Sequence, residues 1–137
     1  MTLAPRPIAE IASYHAHVYY DPVQSRAAAE AVRAGIDARF RVRLGRWHDV
    51  PVGPHSQAMY QVAFETALFP TLVPWLMINH HGLSILIHPN THNPRRDHLE
   101  DGLWLGARLP LLRERLPEWQ DAADEAGVPN SAPHLPA

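Results

Sequence analysis

Cysteine is absent from the 137 residues, and that one absence removes several chemistries together. Disulfides, thiolate zinc sites and cysteine nucleophiles are all excluded, so a metal ion would have to be held by histidine, aspartate or glutamate. A strong charge of one sign is missing too. Twelve basic and 14 acidic residues leave a net charge of -2, which gives no electrostatic reason to expect nucleic acid or an anionic membrane as partner. The longest apolar run, Leu72 to Ile78, is far below a membrane-spanning length and contains Pro74. No apolar signal core opens the chain, so a cytoplasmic location is expected. There is no Gly-rich phosphate loop, no Gly-x-Ser-x-Gly and no His-Glu-x-x-His.

What the chain does have is histidine, ten in all. Imidazole is the one side chain that titrates near neutrality unperturbed, and it is the commonest metal ligand. The remaining composition, 46% apolar and 19% charged, is that of a globular domain. The length allows one such domain: a flexible leader over 1–10, a single domain over 11–126 and a disordered tail over 127–137.

Within that domain the patterning alternates between periods of two and of about four. A strand is expected from Ala12 to Tyr20, followed by a helix from Asp21-Pro22, a capping pair, to about Phe40, with Ala28, Val32, Ile36 and Phe40 on one stripe. Arg41–Trp47 alternates as a second strand, 48–55 is a Pro- and Gly-rich loop, and Ser56–Glu65 is a third strand. A second helix, capped by Thr66 and kinked at Pro74, runs toward Gly82, and Leu83–Pro89 is a fourth strand. The order βαββαβ predicts an α+β, ferredoxin-like antiparallel sheet with both helices on one face. An irregular extension over 89–109 and a last helix from Pro110 to Ala126 complete the expectation.

Side chains alternate along a strand, so His15, His17 and Tyr19 share one face while Tyr14, Ala16, Val18 and Tyr20 take the other. The same parity puts Gln61 and Glu65, and then His88, on the face without helices. In the ferredoxin-like order the first strand lies between the third and the fourth, which makes His15, Glu65 and His88 expected neighbours. Imidazoles with one carboxylate suit non-haem Fe(II), and three imidazoles suit Zn(II) as well. Equally, a His-x-His pair on an open face fits a solvated surface or a dimer interface. His55, on a loop that can reach over the open sheet or bond locally, His98 and His48 are further candidates, and His98, if not simply a surface residue, could move a proton in either direction. Arg95-Arg96 could receive a carboxylate, or simply be solvated. His80, His81, His92 and His134 carry little weight: two end a helix, and two lie in loop or tail.

Taken together, Tyr14-His15-Ala16-His17-Val18-Tyr19, Pro51-Val52-Gly53-Pro54-His55, Pro74-Trp75-Leu76, Leu86-Ile87-His88-Pro89-Asn90-Thr91, and Asp97-His98 with Trp104-Leu105-Gly106 resemble the DOPA 4,5-dioxygenase family. The resemblance covers roughly residues 12–112. It implies a ferredoxin-like homodimer that opens a catechol ring by extradiol cleavage with Fe(II) and O2, on a small aromatic substrate such as L-DOPA. The histidines that match its motifs are His15, His17, His55, His88 and His98; with the strand parity this gives His15, His17 and His88 as the expected metal ligands, and parity adds Glu65 as the candidate carboxylate. With that chemistry, acid–base work is expected of His55 or His98, and the substrate contacts expected are Arg95 and Arg96, from their paired donors, with Tyr19. A non-catalytic dimer that binds a metal or small molecule on the same face is the competing expectation.

Overall fold

The computed structural model describes residues 3–122 and 127–137. Its central strand, β1 (Ser13–Tyr20), pairs antiparallel on both sides, with β3 (Ala58–Phe64) and β4 (Ile85–Asn90). β2 (Arg43–Leu44) pairs with β3, and a three-residue β5 (Leu103–Leu105) pairs with the free side of β4. The order β2-β3-β1-β4-β5 is the ferredoxin-like arrangement with one strand added at the β4 edge.

Helices α1 (Arg26–Arg39) and α2 (Phe69–Asn79) cover one face. Their buried stripes, Ala29, Val32 and Ile36 with Leu72, Val73 and Leu76, pack on Ala16, Val18, Tyr20, Tyr60, Val62, Ile85 and Ile87. This is the parity expected for β1, with its even-numbered residues in the main core. Gly35 lets the two helices meet closely, since a Cβ there would lie 2.6 Å from the Trp75 ring. α1 starts later than the Asp21-Pro22 pair indicates. Asp21 Oδ1 accepts from the N–H groups of Val23 and Gln24 at 2.8 and 2.9 Å, so it caps a separate turn from which the helix then proceeds.

The opposite face carries a second, smaller apolar cluster of Tyr19, Met59 and Leu86, flanked by Val52, Trp104, Leu109 and Leu111. The segment after β4, expected to be irregular, supplies much of this cover. It contains a short helix, α3 (Pro94–Leu99), capped by the Asn93 side chain accepting from Arg96 N–H, and then β5. Gly106 ends β5 with φ of 69°, and a Cβ there would lie 2.6 Å from the Leu83 carbonyl oxygen. Gly106→Ala is therefore expected to destabilise the fold by on the order of 2 kcal/mol, from left-handed strain and a backbone clash together. Urea unfolding should show a lower midpoint with an unchanged slope.

The helix expected from Pro110 to Ala126 is not what residues 110–122 form; 123–126 lie outside the described residues. Only a 3-10 turn occurs, at Arg113–Arg115. The backbone N–H groups are used elsewhere: Leu112 donates to the Pro54 carbonyl at 2.8 Å, and Leu111 bridges to His55. Tertiary pairing overrides the helical spacing of the leucines here. The tail expected to be disordered also has partners. Asn130 and Ser131 N–H donate to the Val42 carbonyl, while Asn130 Oδ1 and Ser131 Oγ accept from Leu44 and Val42 N–H. These bonds satisfy the edge of β2, which a two-residue strand leaves open. In the leader, Arg6 pairs with Glu10 and with Asp101 at 2.8 and 2.7 Å.

Candidate metal centre

Pairing across the sheet sets His15 directly opposite His88, and the two-residue period puts His17 on the same face. One ring nitrogen from each of His15, His17 and His88 falls within 4.8 Å of the others. Two more imidazoles close on the group from outside the strands. His55 arrives on the loop before β3, its ring centroid 4.2 Å from that of His17. His98 arrives on α3, 3.8 Å from His88.

Each approach has a local cause. The His55 backbone is held by its own N–H donating to the Val52 carbonyl and by the bridge to Leu111. α3 is locked to the end of β4 by Asp97, a buried carboxylate that accepts from Thr91 N–H at 2.8 Å and Thr91 Oγ at 2.6 Å. One residue further on, His98 therefore lies over the histidine group, with its Nδ1 2.6 Å from the Pro94 carbonyl. Thr91 and Asp97 both stand in the motifs that carry the resemblance, but the bonds between them and the Pro94 carbonyl contact join residues that no local pattern pairs. Tyr19, expected to contact substrate, is buried, with its ring stacked 5.7 Å from Trp104 and its hydroxyl 2.7 Å from His55 Nδ1.

The hydrogen bonds assign lone pairs. A carbonyl only accepts, so the 2.9 Å contact from His88 Nδ1 to Pro89 O requires Nδ1–H, and the neutral ring then has a bare Nε2. His17 Nε2 lies 3.0 Å from that nitrogen, while His17 Nδ1 is buried without a hydrogen-bond partner. Protonation is resisted at His17, His88, His55 and His98. Burial above all, and then the neighbouring imidazoles, hold His17 and His88 well below the ordinary histidine value. Burial likewise brings His55 and His98 to about 4. Neutral, converging imidazoles with a bare nitrogen and an orphaned one form a donor set suited to a divalent transition metal, iron and zinc included.

Two sequence expectations are corrected. Glu65 does not join the group: it lies just past β3, is exposed, and precedes the 3-10 turn Thr66–Leu68 that leads the chain into α2. The arginines do not line it either. Arg95 donates to the Leu116 carbonyl and pairs with Glu118 at 2.6 Å, while Arg96 faces Asp101 at 3.3 Å and Glu100 at 3.8 Å. Helical phase explains this, since on α3 Pro94, Asp97 and His98 turn toward the sheet and leave Arg95 and Arg96 to the outside. Of the weaker candidates, His48 bridges to Met59 in the ladder, His80 contacts the Leu83 carbonyl, and His92 stacks on Trp119.

The chain is similar to a protein of solved structure from Nostoc punctiforme whose designation as a dioxygenase is itself provisional. Identity is 52%, the TM-score is 0.79, and the match covers 81% of this chain and 96% of that one. It is 33% identical over 116 residues to the DOPA 4,5-dioxygenase of Amanita muscaria, covering 79% of this chain and 51% of that protein. An uncharacterised 21.2 kDa protein of Botryotinia fuckeliana is 40% identical over 78 residues, 51% of this chain and 43% of the other. The chain thus spans about half the length of these curated relatives. The sequence model of the Dopa 4,5-dioxygenase family matches residues 14–115, a span that contains all five clustered histidines, and the chain belongs to that family.

Proposed function

We propose that this protein is an extradiol ring-cleaving dioxygenase that uses Fe(II), held by His15, His17 and His88, to open a catechol ring with O2. The observation that carries the proposal is the convergence of these three ring nitrogens within 4.8 Å in a member of a dioxygenase family. The substrate class is a small catechol, L-DOPA being the one the family's name points to. Fe(II), when bound, supplies Lewis acidity and the redox capacity that a catechol needs to react with O2.

The chain's own residues perform the rest. Tyr19, Met59, Leu86 and Trp104 form an apolar wall beside the imidazoles, suited to an aromatic ring and to the exclusion of water. His98 donates Nδ1–H to Pro94, so its Nε2 carries the lone pair and serves as the base for a catechol hydroxyl proton. On accepting it, His98 becomes an imidazolium that keeps its bond to Pro94 and returns the same proton from Nε2 later. A pKa brought to about 4 by burial leaves the base fully neutral at pH 7, at the expense of proton affinity. An adjacent substrate anion would raise that affinity again.

Purified protein loaded anaerobically with Fe(II) should consume O2 on addition of a catechol and give a yellow ring-opened product. If no member of a catechol panel stimulates O2 uptake, the proposal fails.

A further inference from the structure

We infer that Tyr19 is a positioning residue: its hydroxyl donates to His55 Nδ1 and so presets His55 as an Nε2–H donor toward the histidine group. The contact is 2.7 Å between Tyr19 Oη and His55 Nδ1, and two proton arrangements could produce it. In one the hydroxyl donates to a bare Nδ1; in the other Nδ1–H donates to the hydroxyl oxygen. Tyr19 is 1% exposed, and His55 is the only hydrogen-bond partner of its hydroxyl among the described residues. The second arrangement would bury a phenolic hydrogen with no acceptor, a desolvation penalty that the first avoids. Stacking on Trp104 at 5.7 Å and 24° fixes the phenol ring, and the Val52 and Leu111 contacts fix the His55 backbone. Neither partner can turn away easily.

The consequence separates two histidines that the sequence treats alike. His98, held by Pro94, offers a bare nitrogen, and His55, held by Tyr19, offers an N–H. A neutral imidazole N–H stabilises a developing oxyanion by hydrogen bonding without giving up its proton, so His55 is a donor to oxygen rather than a second base. This use of His55 rests on the dioxygenase reading; the tautomer itself does not.

The test is nitrogen NMR of the full chain labelled in its histidines, with and without Zn(II) as a diamagnetic ion, since protonated and bare ring nitrogens resonate far apart. The expected spectrum shows His55 as the Nε2–H form, with His88 and His98 as Nδ1–H forms. Tyr19→Phe should redistribute His55 between tautomers while leaving His88 and His98 unchanged. Catechol-dependent kcat in the Fe(II) enzyme should fall about 10-fold, with KM nearly constant. A wild-type His55 in the Nδ1–H form overturns the inference, as does a His55 tautomer indifferent to Tyr19→Phe. Should that variant not fold, the wild-type spectrum alone decides between the two forms. Turnover of no catechol by the wild type would instead overturn the dioxygenase reading and leave the tautomer result standing.

Discussion

His88→Ala is expected to lose its metal: Fe(II) or Zn(II) content should drop from about one ion per chain to background, with affinity weaker by more than about 100-fold. The reason is geometric. His88 is 1% exposed and sits opposite His15, with its Nδ1–H fixed by the Pro89 carbonyl so that Nε2 has only the group to face. Alanine removes that nitrogen and leaves a buried void that nothing polar refills. Catechol-dependent O2 uptake should vanish with the metal. His92→Ala, which removes a ring stacked on Trp119 outside the group, should bind metal as the parent does. Because the void also weakens the fold, His15→Ala, at a partly exposed position, provides the same metal comparison with less disturbance. Retention of full metal content by both variants would show that the ion lies elsewhere.

The metal-free protein is expected to lose stability steeply on acidification. His55 and His98 have folded pKa values of about 4, against about 6.5 in an unfolded chain. Below pH 6.5 the unfolded chain takes up protons that the folded chain refuses, so unfolding is favoured by up to about 1.4 kcal/mol per pH unit for each histidine. The loss begins near pH 6.5 and continues to about pH 4, below which these two groups add nothing further. Above pH 6.5 they contribute no pH dependence. His17 and His88 shift in the same direction and extend the loss to lower pH. Urea midpoints measured from pH 8 to pH 4 should therefore be level and then fall. Replacing His55 with Gln should flatten part of that fall. Metal-loaded protein should start higher and fall more sharply, because protons and metal compete for the same nitrogens.

How far the sequence carries can be traced residue by residue. Strand alternation is a short-range property, so the division of β1 into a core face and a histidine face followed directly from Tyr14 to Tyr20. The fold order then brought His88 beside His15, because a βαββαβ chain places its first strand between the third and the fourth. Glu65 failed by position: parity was right, yet the strand ends at Phe64 and the chain turns away one residue later. Arg95 and Arg96 failed by phase, since a six-residue helix offers too little periodicity to tell inside from outside. β5 has three residues, too few for an alternation signal, and its pairing to β4 is entirely non-local. The leucines at 111, 112 and 116 keep helical spacing, but Pro110 and Pro117 flank them and the Pro54 carbonyl takes the Leu112 N–H. The tail carries its information in Asn130 and Ser131, whose side chains complete the β2 edge. Tautomers are invisible to sequence altogether, because they depend on which carbonyl or hydroxyl the fold brings to each ring.

The central claim is that the histidine group supports insertion of O2 into a catechol ring. Its most direct test is mass spectrometry of the product formed by Fe(II)-loaded protein from a catechol under isotopically heavy O2. The account predicts a ring-opened product carrying two heavy oxygen atoms, formed by the parent and absent with His88→Ala. A product without heavy oxygen, or equal product from His88→Ala, would contradict it.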